Sequence, residues 1–178
     1  MCYNRNMRKK RLIFYCITLL MFCQVSSVAA AFPAVAASEA QESAVKEKCE
    51  TILNELKNIQ KTDARTRVYF GGLYETILTK FVVPFNVRTV ENSLSSAELV
   101  ENQNKISEAK ELFANDFVSY QQDLESLVTM DCRTESGKFY DQLVKVRQKR
   151  KIVEQDTLKM RSLLSVHVKL ANGLKGKL

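Results

Sequence analysis

The chain has 178 residues, 46% of them hydrophobic and 26% charged, with a formal net charge of +7 and an isoelectric point near 9.2. That length is enough for one domain. Much of the positive charge lies at the start of the chain, so the high isoelectric point is no argument for nucleic-acid binding.

Residues 1–37 have the layout of a secretory signal peptide. Arg8, Lys9, Lys10 and Arg11 precede the uncharged run LIFYCITLLMFC, and QVSSVAAAFPAVAA then supplies small residues. Cleavage after Ala36 or Ala37 satisfies the small-residue requirement, with Ala30 or Ala31 as the alternative. Met7, directly before the positive cluster, is an alternative start. An uncleaved membrane anchor is the competing expectation, although the strongly apolar run is short for a span of about 20 residues. Lipidation at Cys23 is disfavoured by the bulky Phe22 before it. Without the five basic residues of this segment the chain keeps 22 basic against 20 acidic residues, a net charge of +2. Export also leaves two cysteines, Cys49 and Cys132, which are expected to form one disulfide in an oxidising compartment.

Residues 38–178 read as a single all-α domain. Ser38 and Gln41 form a capping box at the start of the first helix. Val45, Cys49, Ile52, Leu56 and Ile59 open a heptad register that passes Asp63 and Thr66 and continues through Phe70, Leu73 and Ile77 without a shift. One long helix over about 38–92 follows, irregular near Gly71-Gly72 and Pro84. The glycine pair is tolerated if a neighbouring helix approaches closely there. The alternative is a break near residues 61–63, giving four helices. The apolar stretch VYFGGLYETILTKFVVPFNV is not a membrane span, because Glu75 and Lys80 interrupt it.

Ser95 and Glu98 cap a second helix over about 95–130. There Leu99, Ile106, Phe113, Tyr120 and Leu127 recur every seven residues, with Gln103 and Lys110 as defects in the complementary positions. A third helix over about 134–172, with Thr134 as N-cap and Asn172-Gly173 as its stop, aligns Phe139, Leu143, Val146, Val153, Met160 and Leu164. Arg150, Thr157 and His167 interrupt that register. The expected architecture is an elongated, coiled-coil-like antiparallel bundle. A hairpin near Leu94 brings Cys49 and Cys132 within about 10 Å along the axis, so the disulfide and the long first helix support each other.

The residues for catalysis are sparse. His167, the single histidine, falls on an apolar register without an evident partner, and Cys/His metal spacing and phosphate loops are missing. No enzyme, cofactor or metal is expected. The acidic residues read as a solvated surface. The basic stretch Lys145, Arg147, Lys149, Arg150 and Lys151 is a candidate patch for an anionic partner or an anionic membrane surface. Its competing reading is an exposed face paired with neighbouring acids, whose neutralisation leaves the fold unchanged.

The segments TRVYFGGLYETILTKFVVPFNVRTVENSL and LVENQN, followed by VRQKRK, resemble short exported helical proteins of reduced-genome candidate-phylum bacteria. The resemblance implies an exported helical protein and carries over no activity, site or partner. The expected function is therefore a non-enzymatic interaction or structural module at the cell envelope or surface. It would bind a protein or envelope component, or a second copy of itself, and not nucleic acid. A chaperone-like holdase is the alternative, although the known small type carries a β-rich part and no strand-like segment is evident here. An open groove between long helices would favour the holdase and a closed bundle the module.

Overall fold

The computed structural model of the protein describes residues 37–94 and 97–174. The signal-peptide reading of 1–37 and the Ser95 capping box therefore fall, apart from Ala37 and Glu98, outside the described residues. Those residues are all-helical, with no strand among them, and form four continuous helical runs. The first is α1 (Glu39–Glu47). The second joins α2 (Cys49–Ile77), a π-helical turn (Leu78–Val82) and α3 (Val83–Glu91). The third is α4 (Ala97–Thr129) and the fourth α5 (Ser136–Gly173).

The expected long first helix thus holds only in part, and the four-helix alternative fits in number. The division, however, lies at Lys48, whose φ of −102° and ψ of 15° leave the helical region. Residues 61–63 continue the helix. The Ser38 capping box forms, with the Ser38 N–H donating to Gln41 Oε1 at 2.8 Å and Ser38 Oγ accepting from the Gln41 N–H.

The irregularity in the second run comes from Pro84 alone. Proline supplies no amide to the i−4 carbonyl. One turn upstream the helix widens, and the Val83 N–H bonds Leu78 O, five residues back. Gly71 and Gly72 stay helical, and a Cβ added at either would meet nothing within 4 Å. The close approach expected there is absent. It occurs instead at Gly137, where an added Cβ would lie 2.9 Å from Glu42 Oε1 of α1.

Helix α4 is the central element. It packs on α5 along its length and on α2, the π turn and α3 at its other side, while α1 packs on α5. Its heptad residues Leu99, Ile106, Phe113, Tyr120 and Leu127 are all buried. The two defects are polar crossings: Gln103 accepts from Asn86 Nδ2 at 2.8 Å, and Lys110 pairs with Glu75. Phe70, Tyr74, Phe113, Phe117 and Tyr120 form a ladder of ring contacts from α2 onto α4, with centroids 5.3–5.8 Å apart. Between α3 and α4, Ser93 adopts a φ of 56° and Leu94 N–H reaches back to Thr89 O at 2.7 Å. Between α4 and α5, Asp131 Oδ1 accepts from the amides of Arg133 and Thr134. Helix α5 consequently starts one residue later than expected, with Glu135 rather than Thr134 at its N-cap.

Cys49 and Cys132 form a disulfide with Cα atoms 5.6 Å apart. The expected axial offset is absorbed because Cys132 lies in the non-helical α4–α5 connection and Cys49 follows the Lys48 turn. Around it, Arg133 pairs with Glu50, Ser136 Oγ donates to Glu42 and Gln41 Nε2 donates to the Tyr140 hydroxyl. The bond closes a loop spanning 83 residues, which corresponds to about 4 kcal/mol in the chain-entropy model. A Cys49→Ala/Cys132→Ala variant should lose roughly that amount in urea unfolding, and non-reducing peptide mapping of the wild type should join the two peptides. Free alkylation of both thiols in the native protein would refute the bond.

Candidate functional site: an open seam between two helices

Helices α2 and α5 both rest on α4 and pack far less closely on each other. Beyond the disulfide and α1, a seam runs between them. One cleft in it, of about 580 Å3, has Phe113, Phe117 and Tyr120 of α4 in its floor, Asp63 and Phe70 of α2 on one wall, and Arg147, Arg150 and Lys151 of α5 on the other. A second cleft of about 370 Å3 shares Phe70 and Thr157 with the first and extends to Leu73, Ile77, Leu158 and Arg161. A third of about 350 Å3 lies between Lys80, Phe81 and Phe85 on one side and His167 and Val168 on the other.

One polar junction spans the seam. Asp63 is buried, against the expectation that the acids sit on the solvated surface. Its Oδ2 accepts from the Tyr120 hydroxyl at 2.7 Å and from Arg150 Nε at 2.9 Å, and its Oδ1 accepts from Arg150 Nη2 at 3.1 Å. A buried carboxylate is tolerated when its lone pairs are filled in this way. The bonds to Asp63 push the Arg150 pKa up, against the opposing effect of burial. Burial, and then Asp63, pushes that of Tyr120 up. In the sequence Asp63 and Arg150 interrupt the registers of their own helices. Their opposite charges were the signal that the two interruptions meet.

The five residues of the basic stretch divide by position. Lys145 and Lys149 both pair with Asp123 of α4, and Lys149 also donates to Ser119 Oγ at 2.7 Å. Burial opposes the charge on Asp123, but the two lysines outweigh it and hold the carboxyl below its ordinary range. Arg150 is committed to Asp63. Arg147 and Lys151 are exposed on the cleft wall and make no ion pair or side-chain hydrogen bond among the described residues. Of Lys145, Arg147, Lys149 and Arg150, expected to be exposed and to matter little for folding, Lys149 is half-buried and Arg150 is the one that pairs with a buried carboxylate.

Two further titratable groups lie inside. His167 is buried, its Nδ1 has no partner, its ring meets Phe85 edge-on at 5.8 Å, and burial pushes its pKa down. Among the described residues no side chain hydrogen-bonds its Nδ1. Asp156 of α5 is also buried, with Oδ2 unpartnered. Burial, and then the neighbouring Asp116 of α4, raise its pKa to about 6, with Lys159 acting in the opposite direction. The Asp156 charge in turn contributes, after burial, to the upward shift of Tyr74 on α2. Among the described residues there is no His/Cys/Asp/Glu cluster fit for a metal, and no helix is long and apolar enough to cross a membrane. Comparison with family models, curated proteins and solved structures finds no match to this chain.

Two expected outcomes follow from the buried carboxylates. Arg150→Gln leaves Asp63 short of its cation and should cost about 2 kcal/mol, a value moderated because the Arg150 side chain is 52% exposed. Arg147→Gln should cost nothing measurable in the same denaturant titration; equal effects would refute the junction. For Asp156, the folded state holds a proton to higher pH than the unfolded chain, whose carboxyl titrates near 3.8. That stabilisation is complete below about pH 4 and is lost as pH rises through about 6. Between pH 5 and 7.5 it should fall by about 1 kcal/mol. Asp156→Asn should remove that part of the dependence when its unfolding is compared with wild type at both pH values.

Proposed function

We propose that this chain is an exported, non-enzymatic helical interaction module of the cell envelope or surface, and that it binds its partner through the seam between α2/α3 and α5. The carrying observation is the exposed apolar surface along that seam: Phe81 is 64%, Leu158 57% and Val168 58% exposed, on walls whose bases are buried. Large apolar side chains clustered in a concave site are the usual mark of a binding surface. The ordered basic, apolar and small-residue regions of 1–37 support export, with an uncleaved anchor as the variant of that reading. The disulfide suits an oxidising compartment.

The open seam is the feature expected of a holdase, whose clamp-like groove can shelter unfolded segments, and it carries that second reading; the module is placed first because the seam is bridged by Asp63 and Arg150 over a packed core. The two differ in selectivity. A photo-crosslinker placed at Leu158 of the full chain, in its native cells, should capture one discrete protein. A control crosslinker at Gln122, on the exposed side of α4, should not. A smear of many unrelated proteins from Leu158 would favour the holdase. Capture from Gln122 and none from Leu158 would refute binding through the seam.

A further inference from the structure

The side chains that α5 presents to the seam follow a helical rule. Arg147, Lys151, Glu154, Leu158 and Arg161 advance by steps of four and three residues, Val168 follows seven residues on, and each lines one of the clefts. Such a row is one face of a helix. From Arg147 to Val168 it runs roughly 30 Å, at 1.5 Å per residue. On the opposite wall Lys80 and Arg88 border the clefts near α3.

The charges along this row are unbalanced. Arg147, Lys151, Arg161, Lys80 and Arg88 make no ion pair or side-chain hydrogen bond among the described residues. The wall acids are Glu154, which faces Arg150, and Asp63, which Arg150 and Tyr120 already satisfy. Between the cations the surface is apolar, with Phe70, Leu73, Ile77, Leu158 and Leu164. An apolar strip on one helical face, bordered by unpaired cations of both walls, is a surface that suits an amphipathic helix of opposite charge. The border charges then select the partner.

We infer that the seam is a helix-docking groove whose occupant is an acidic amphipathic helix of a partner protein, apolar on one face and flanked by Glu or Asp. The incoming helix lies over α2 and α5 and closes the three long helical runs into a four-helix arrangement. A flat bilayer cannot enter a concave seam, and its headgroups would not match a row spaced for a helix. This inference rests on the reading of the chain as a seam-binding module and adds the chemistry of the partner.

The test uses the full chain, oxidised, and two fluorescein-labelled peptides of about three heptads. Both carry leucine on one face; one is flanked by glutamates and the other by lysines. Fluorescence anisotropy at near-physiological salt should show the glutamate peptide binding on the order of tenfold tighter or more. Arg147→Glu/Lys151→Glu and, separately, Arg161→Glu should erase or invert that preference. Lys105→Glu, on the exposed face of α4 where Lys105 pairs with Glu101, should leave it intact. If a reversal lowers the melting temperature, Arg161→Gln is the substitute, since Arg161 is exposed and unpaired. Equal binding of the two peptides, no binding of either, or a preference untouched by the reversals would overturn the inference. So would seam-dependent self-association in gel filtration, lost in Arg161→Glu, because the occupant would then be a second copy. If Leu158 captures a discrete partner in cells while the peptides show no acidic preference, the module stands and the acidic helix falls. If Leu158 captures nothing and Gln122 does, the module itself falls.

Discussion

A single carboxylate ties the three long helical runs together at mid-height. Asp63 comes from α2, Tyr120 from α4 and Arg150 from α5, and each is held by the others. Burying a charge costs several kcal/mol unless it is paired and hydrogen-bonded, so Asp63 is compatible with only one relative register of the three helices. A slip by one residue would turn Asp63 away from Arg150 and leave it uncompensated. Apolar heptads alone are more permissive, because leucine and phenylalanine pack in several neighbouring registers. The junction thus supplies specificity where the heptad repeat supplies mainly cohesion.

The junction also works with the disulfide. The Cys49–Cys132 bond and the contacts of α1 with α5 fix one end of the bundle, where Gln41, Tyr140, Glu42 and Ser136 interlock. From there α2 and α5 run side by side over α4, bridged by Arg150 and Asp63 and filled from below by the aromatic ladder. Further along, the π turn before Pro84 re-aims the backbone, and Asn86 reaches Leu99 O and Gln103 to hold α3 on α4. The seam stays open because its walls are carried mainly by α4 and touch each other chiefly at the Asp63–Arg150 bridge. A two-sided groove on a central helix follows from that arrangement.

Within the seam, polar chemistry and apolar surface are separated. The acids turned inward are matched or shifted: Asp63 of α2 is paired with Arg150 of α5, and Asp156 of α5 has its pKa raised to about 6 by burial and by Asp116. The cations are left outward, at Arg147, Lys151 and Arg161. His167, buried, meets the ring of Phe85 edge-on. What the seam offers is shape, apolar area and a positive border.

Much of the fold was legible because local periodicity is a property of the chain itself. The heptads of α4 and α5, the Ser38 cap, the all-helical class and the pairing of Cys49 with Cys132 follow from spacing, capping chemistry and the hairpin length. The sequence by itself also marked Asp63 and Arg150 as interruptions and Pro84 as a weak point. Tertiary structure decided the rest. Whether an interruption is a solvated flaw or half of an ion pair depends on the rotation of another helix, which periodicity within one helix does not encode. Whether Gly71-Gly72 admits a neighbour depends on where that neighbour lies, and none comes near. The division of the basic stretch into Lys145, Lys149 and Arg150, bound within the molecule, and Arg147 and Lys151, left on the cleft, depends on the position of Asp123 and Asp63 across the interface. The seam itself is a region where α2 and α5 meet mainly through the Asp63–Arg150 bridge, and the placement of both on α4 creates it.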